Sequence, residues 1–160
     1  MVSTRSQLNE LAKEIEDSNI CPSLKAQATQ LVFGAGNPDA SILFIGEAPG
    51  KNEDEQGIPF IGAAGKFLAK MLDAAEMSRD EVYITNIVKY RPPENRDPLP
   101  SEKAAFLPYL LREIAIVNPK VVITLGRHSM EYFLPKATIS DIHGTPQYIE
   151  IAGRKTLLVP

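Results

Sequence analysis

Apolar positions along this chain change their period several times, and each change marks an element. Leu8, Leu11, Ala12 and Ile15 recur at helical spacing, which predicts an amphipathic helix from Ser3 to Asp17. Leu31-Val32-Phe33 reads as a short extended piece before the turn Gly34-Ala35-Gly36-Asn37-Pro38-Asp39. Ile42 to Ile45 is continuously apolar, the pattern of a buried strand. Phe67, Leu68, Met71, Leu72 and Ala75 share one face of a helix predicted over Ala64 to Met77. Val82 to Val88 is apolar and β-branched, a second strand. A proline-rich loop, Arg91 to Pro100, leads to a helix that begins at Ser101 and runs to about Val117. Val121 to Leu125 is a third buried strand closed by Gly126, and Arg127 to Phe133 a short helix. Tyr148 to Ile151 and Thr156 to Val159 read as two strands joined at Ala152-Gly153.

Strands that alternate with helices predict an α/β fold: a three-layer α/β/α sandwich with a mostly parallel central sheet. Its 160 residues suit one domain, 1–160. The last strand, Leu157-Leu158-Val159-Pro160, has the apolar character of a central strand with nothing after it, so we expect a domain truncated at its C-terminus. At 44% hydrophobic and 23% charged the chain is globular in composition, and no apolar run approaches the roughly 18 residues of a membrane helix. One cysteine, Cys21, excludes an internal disulfide and fits a reducing, cytoplasmic setting. A net charge of −3 is no signature of a nucleic-acid binder, although a local basic surface is compatible with it.

The candidate chemistry lies where the first buried strand ends. Gly46-Glu47-Ala48-Pro49-Gly50 follows it, then a charged run, then Gly57-Ile58-Pro59-Phe60-Ile61-Gly62-Ala63-Ala64-Gly65. Ligands of open α/β sheets bind at such strand ends. The glycine spacing matches neither a phosphate loop nor a dinucleotide fingerprint. Glu47 is the best catalytic candidate; otherwise it is a carboxylate on a surface turn. Phe60 is an aromatic face for a ligand or a plug for the core. Asn86, inside an apolar strand, is a recognition amide or a structural hydrogen-bonding group. An aromatic face, an amide and a carboxylate together suit a flipped-out nucleobase. Lys89, Arg91 and Arg96 flank this group on one side, and Arg127 and His128 on the other. These are candidate DNA contacts or ordinary solvated charge.

The chain resembles the family 4 uracil-DNA glycosylases, the iron–sulfur type. The resemblance covers roughly Ser18 to Pro160. It rests on the glycine segments above, on Val32 to Asp39, on Glu53-Asp54, on Tyr83-Ile84-Thr85-Asn86-Ile87-Val88-Lys89 and on Arg91-Pro92-Pro93-Glu94-Asn95-Arg96. It implies that Glu47 assists water or stabilises positive charge on the sugar. Phe60 would stack on uracil and Asn86 would pair with its N3 and O4, with backbone amides near Gly46 and Glu47 at O2. The implied partner is uracil-containing DNA, acted on by a monomer with no membrane attachment.

Two departures matter. The family holds a [4Fe–4S] cluster on four cysteines, whose positions here are Ser18, Cys21, Tyr90 and Phe106. Such a cluster wants thiolates, so we expect no cofactor and no metal, with Tyr90 and Phe106 filling the space. The family also continues past this final strand into a His-Pro motif, whose histidine donates to uracil O2. His128 and His143 are the only histidines here, and His143 reads as structural or DNA-proximal. A uracil-DNA glycosylase that starts base excision repair is the leading expectation. A catalytically weak or inactive uracil- or DNA-binding relative is the alternative, and a generic α/β nucleotide-binding protein a third.

Overall fold

The computed structural model describes residues 1–160. A six-stranded sheet runs through its centre in the order β1-β3-β2-β4-β6-β5. The inner strands β3 (Tyr83–Asn86), β2 (Ile42–Gly46), β4 (Val121–Thr124) and β6 (Arg154–Val159) are parallel. The edge strands β1 (Ala35–Gly36) and β5 (Gln147–Ile151) are antiparallel to their neighbours. This is the expected mostly parallel α/β architecture.

Alternation along β2 divides the core. Leu43 and Ile45 face a large cluster that also takes Leu8 and Ile15 from α1 (Thr4–Asp17) and Phe106, Leu110, Ile114 and Val117 from α5 (Pro100–Val117). Phe44 faces a smaller cluster with Leu68 and Leu72 of α4 (Ala63–Ala74), Val82 and Ile84. Helices therefore cover both faces, and the three layers follow from period-2 patterning in one buried strand.

Local signals account for the helix ends. The Ser3 hydroxyl accepts from the Ser6 amide at 3.2 Å and starts α1. Pro100 opens α5, where a missing N–H costs nothing. Asn118 closes α5 with φ +54.

Several boundaries differ from the sequence pattern. Leu31 to Phe33 lies outside the sheet, and Ala35-Gly36 of the expected turn forms its edge. The charged run folds as α3 (Lys51–Gln56), which the absence of apolar spacing concealed; α2 (Pro22–Gln27) and α7 (Ile139–Ile142) were also unanticipated. α4 stops at Ala74, and the second strand stops at Asn86 rather than Val88. Phe67 and Met71 are not core residues: they are 63% and 48% exposed, because Leu68 and Leu72 alone reach the sheet.

Candidate active site

Three parallel strands deliver the site. β2 lies between β3 and β4, and the chain leaves it first toward β3 and later returns on its other side as β4. Such a reversal opens a crevice at the carboxyl ends of the strands. Gly46 and Glu47 leave β2 there, Asn86 ends β3, and α6 (Arg127–Phe133) starts just after β4.

Gly46 and Asn86 are paired in register. Beyond them the two segments stay zipped, as Ile87 N–H donates to the Gly46 carbonyl at 3.0 Å and Val88 N–H to the Glu47 carbonyl at 3.1 Å. Phe60 joins them from the loop between α3 and α4. A Cβ at position 46 would overlap Cζ of Phe60 and sit 2.5 Å from Oδ1 of Asn86. Glycine at 46 thus lets the aromatic ring and the amide converge beside Glu47. Oδ1 of Asn86 is buried and has no hydrogen-bond partner in the protein. An unpaired buried acceptor costs about 1–3 kcal/mol, so this oxygen awaits a donor.

Phe60 is held by residues that the sequence pattern did not single out. Its backbone is left-handed, φ +53, a strained state for an aromatic residue. The Arg79 guanidinium donates to the carbonyls of Pro59 and Phe60. On the other side, Glu53 Oε1 accepts from the amides of Ile61 and Gly62 at 3.1 and 2.8 Å. Burial works to raise the Glu53 carboxyl, but backbone amides, that of Gly62 foremost, outweigh it and bring it below its ordinary value. The Phe60 carbonyl presses on Gly65, where a Cβ would overlap it.

A cleft of about 450 Å³ opens beside Glu47, with Gly50, Glu53, Gly62, Pro92 and Asp97 in its wall. Across from Glu47 stands His128, with Nε2 3.8 Å from a Glu47 oxygen and 3.3 Å from a carboxylate oxygen of Asp97. Burial raises the Glu47 carboxyl above its ordinary value; His128 pulls it down, and Asp97 pushes it up. The side-chain atoms of Glu47, Asp97 and His128 lie within 4.8 Å of one another. Asp97 carried no sequence signal, and His128 read only as flanking charge. Its position straight after Gly126, at the end of β4, was the available clue. His143, just past α7, is exposed.

One of the basic candidates, Lys89, needs correction, and a second, Arg96, is engaged by a carboxylate. Lys89 is wholly buried and paired with Glu113 at 2.5 Å; its ammonium also donates to the Asn86 carbonyl at 2.8 Å. It therefore cannot reach a phosphate. Arg96 makes a two-pronged contact with Glu102 at 2.7 and 3.0 Å, which fixes the proline loop to the start of α5. Arg91 donates to the Asn95 side chain at 2.7 Å. Arg127 is 62% exposed and 3.7 Å from Glu131. These last two make single, lighter contacts, whereas Arg96, 37% exposed in the cleft wall, has both prongs committed to Glu102.

The cluster positions do not fit an iron–sulfur group. Ser18 donates to the Ile15 carbonyl at 2.8 Å. Tyr90 and Phe106 are buried and meet edge to face, with ring centroids 6.1 Å apart. Cys21 is the single thiol, and burial, with Glu102 second, pushes its ionisation upward, away from the thiolate a metal needs.

Comparison with known proteins shows the family. The family model of the uracil DNA glycosylase superfamily matches residues 33–159. The type-4 uracil-DNA glycosylase of Sulfurisphaera tokodaii is 48% identical over 138 residues, 82% of this chain and 63% of that protein. Against that relative the chain thus spans less than two thirds of the length. The type-4 enzyme of Thermotoga maritima is 42% identical over 97% of this chain and 81% of its own. That of Saccharolobus solfataricus is 43% identical over 96% and 73%. The matched span takes in Glu47, Phe60 and Asn86 at one strand-end crevice, and the chain belongs to the uracil DNA glycosylase superfamily.

Proposed function

We propose that this chain hydrolyses the N-glycosidic bond of uracil in DNA, the first step of base excision repair, as a monomer in the cytoplasm. The orphaned Asn86 oxygen carries the proposal. It accepts the N3–H of uracil, while the amide nitrogen donates to O4, so one side chain reads one edge of the base. Phe60 stacks on the ring, and backbone amides near Gly46 and Glu47 face O2. As the bond from C1′ to N1 breaks, its electron pair leaves with uracil. Donors aimed at O2 and O4 stabilise that anion. The sugar gains oxocarbenium character, which the Glu47 carboxylate stabilises; water adds at C1′, and the proton it loses passes by way of that carboxylate to the departing uracil anion. Asp97 and Glu47 crowd like charges around that centre. Arg91 and Arg127 supply phosphate contacts. Type-4 relatives are named for this activity, which supports the assignment.

The proposal includes no cofactor. One thiol among four positions is too few for a [4Fe–4S] cluster, and the Tyr90–Phe106 contact occupies ligand positions with apolar rings. Protein purified under anaerobic conditions is expected to lack visible charge-transfer absorption and stoichiometric iron; finding both would overturn this part.

Cleavage of a uracil-containing oligonucleotide after alkaline treatment tests the activity. Abasic product is expected from the chain and should be lost with Glu47→Ala and Asn86→Ala. Binding of the oligonucleotide without abasic product would replace the enzyme with a uracil-binding relative.

A further inference from the structure

His128 is the one imidazole in the crevice, and the fold leaves it little freedom. The next two residues, Ser129 and Met130, are fully buried. The Ser129 hydroxyl donates to the carbonyls of Leu125 and Gly126 at 2.9 and 3.2 Å. The Tyr132 hydroxyl donates to the Lys103 carbonyl, which docks α6 on α5. The imidazole between these anchors is 17% exposed. Its Nδ1 is buried with no partner, so its polar interactions pass through Nε2. That nitrogen faces two carboxylates, Asp97 at 3.3 Å and Glu47 at 3.8 Å.

We propose that His128 is a positioning residue for Glu47: its Nε2 edge, shared with Asp97, orients the Glu47 carboxylate at the reacting sugar. This rests on the glycosylase assignment above. Two carboxylates at one site repel, and the Nε2 edge that faces both gives them a shared polar partner. Glu47 comes from β2, Asp97 from the proline loop and His128 from α6, so His128 is where three separately built segments meet. Other charges face the group too. Lys103 of α5 lowers the Glu47 carboxyl more weakly than His128, and on α6 Arg127 is engaged by Glu131. A histidine kept only to start α6 would need no carboxylates at Nε2.

Steady-state rates on a uracil-containing single-stranded oligonucleotide, followed against pH, separate positioning from packing. His128→Leu is expected to lower kcat about tenfold to a hundredfold, the scale of a slightly misplaced catalytic group, with little change in KM. Its acid limb should move to higher pH, because the group that draws the Glu47 carboxyl downward is gone. His128→Gln should recover part of kcat without restoring the limb. Asp97→Asn should move the limb the opposite way. Unchanged kcat and an unchanged limb in His128→Leu would overturn the proposal while leaving the glycosylase assignment intact. Carbon NMR of the Glu47 side chain reads the same effect without turnover. A titration midpoint unmoved by His128→Leu, in protein whose melting temperature is preserved, would also overturn it. Absence of abasic product from the parent chain would instead count against the glycosylase assignment.

Discussion

Lys89 and Glu113 form an ion pair 2.5 Å apart with neither side chain open to water. The pair is part of a network: Glu113 also accepts from the hydroxyls of Tyr83 at 2.8 Å and Thr85 at 3.1 Å. Burial lowers the Lys89 ammonium below its ordinary range, and Glu113 opposes that. Through the Asn86 carbonyl the network reaches the residue that would read the base.

Removing one partner leaves the other charge buried alone. Lys89→Met should cost about 3–5 kcal/mol, measured by urea unfolding. Pairing it with Glu113→Leu should return part of that loss. A Lys89 variant that stays fully stable and instead loses salt-dependent DNA affinity would contradict the burial described here.

Arg91 and Arg127 should behave differently from Arg96. Replacing either of the first two with alanine should weaken oligonucleotide binding and reduce the slope of log K against log salt by about 0.7 for single strands. Arg96→Ala should chiefly lower the melting temperature, since its guanidinium is engaged with Glu102. Fluorescence anisotropy across a salt series, with thermal melts in parallel, checks both.

The pH dependence follows from Glu47. Its carboxyl lies above the ordinary value, mainly through burial. In the role proposed for Glu47 the ionised form is the active one, so activity should fall as pH drops through that raised value. The acid limb of kcat/KM is therefore expected above the usual glutamate value of about 4.3. An acid limb at or below that value would contradict the role given to Glu47.

Space at Gly46 is occupied from both sides, which makes the position sensitive to one methyl group. Gly46→Ala should displace Phe60 or Asn86 and reduce kcat/KM about a hundredfold or more, with circular dichroism preserved. The loss is of the size expected when an anion-stabilising donor is misplaced. Near-parental activity in this variant would mean that the ring and the amide do not need to converge over residue 46.

The two guanidinium contacts under Phe60 make a separate forecast. Arg79→Met frees both carbonyls and leaves the left-handed peptide supported only from Glu53. KM should rise more than kcat falls, because stacking weakens before the bond-breaking step. Steady-state kinetics on a uracil oligonucleotide decide the matter, and an unchanged KM would count against the clamp.

The sheet was legible because buried parallel strands are short, continuous apolar runs: Ile42 to Ile45 and Val121 to Leu125 stand out in any window. α3 was not, since Lys51-Asn52-Glu53-Asp54-Glu55-Gln56 has no apolar stripe. Asp54, buried there, takes the Thr29 amide and hydroxyl, each at 2.8 Å, a tertiary contact with no local trace. Glu47, Phe60 and Asn86 could be read as one group because glycines and an out-of-place amide announce themselves. Asp97 and Arg79 could not, because a loop acid and a surface-like arginine acquire meaning only when distant segments meet. Lys89 misled for a similar reason: its burial depends on Glu113, 24 positions away.

Of the groups around the proposed base site, Asn86 is in a strand, Glu47 follows one directly, and His128 stands in a helix seeded by another. Phe60 alone rides on a loop, in a backbone state that Arg79 and Glu53 must maintain. The hydrogen-bonding edge is thus as rigid as the sheet, whereas the stacking face has its own, softer modulus. Warming or mild denaturant should therefore loosen aromatic grip first, and selectivity among flat heterocycles should outlast affinity for them.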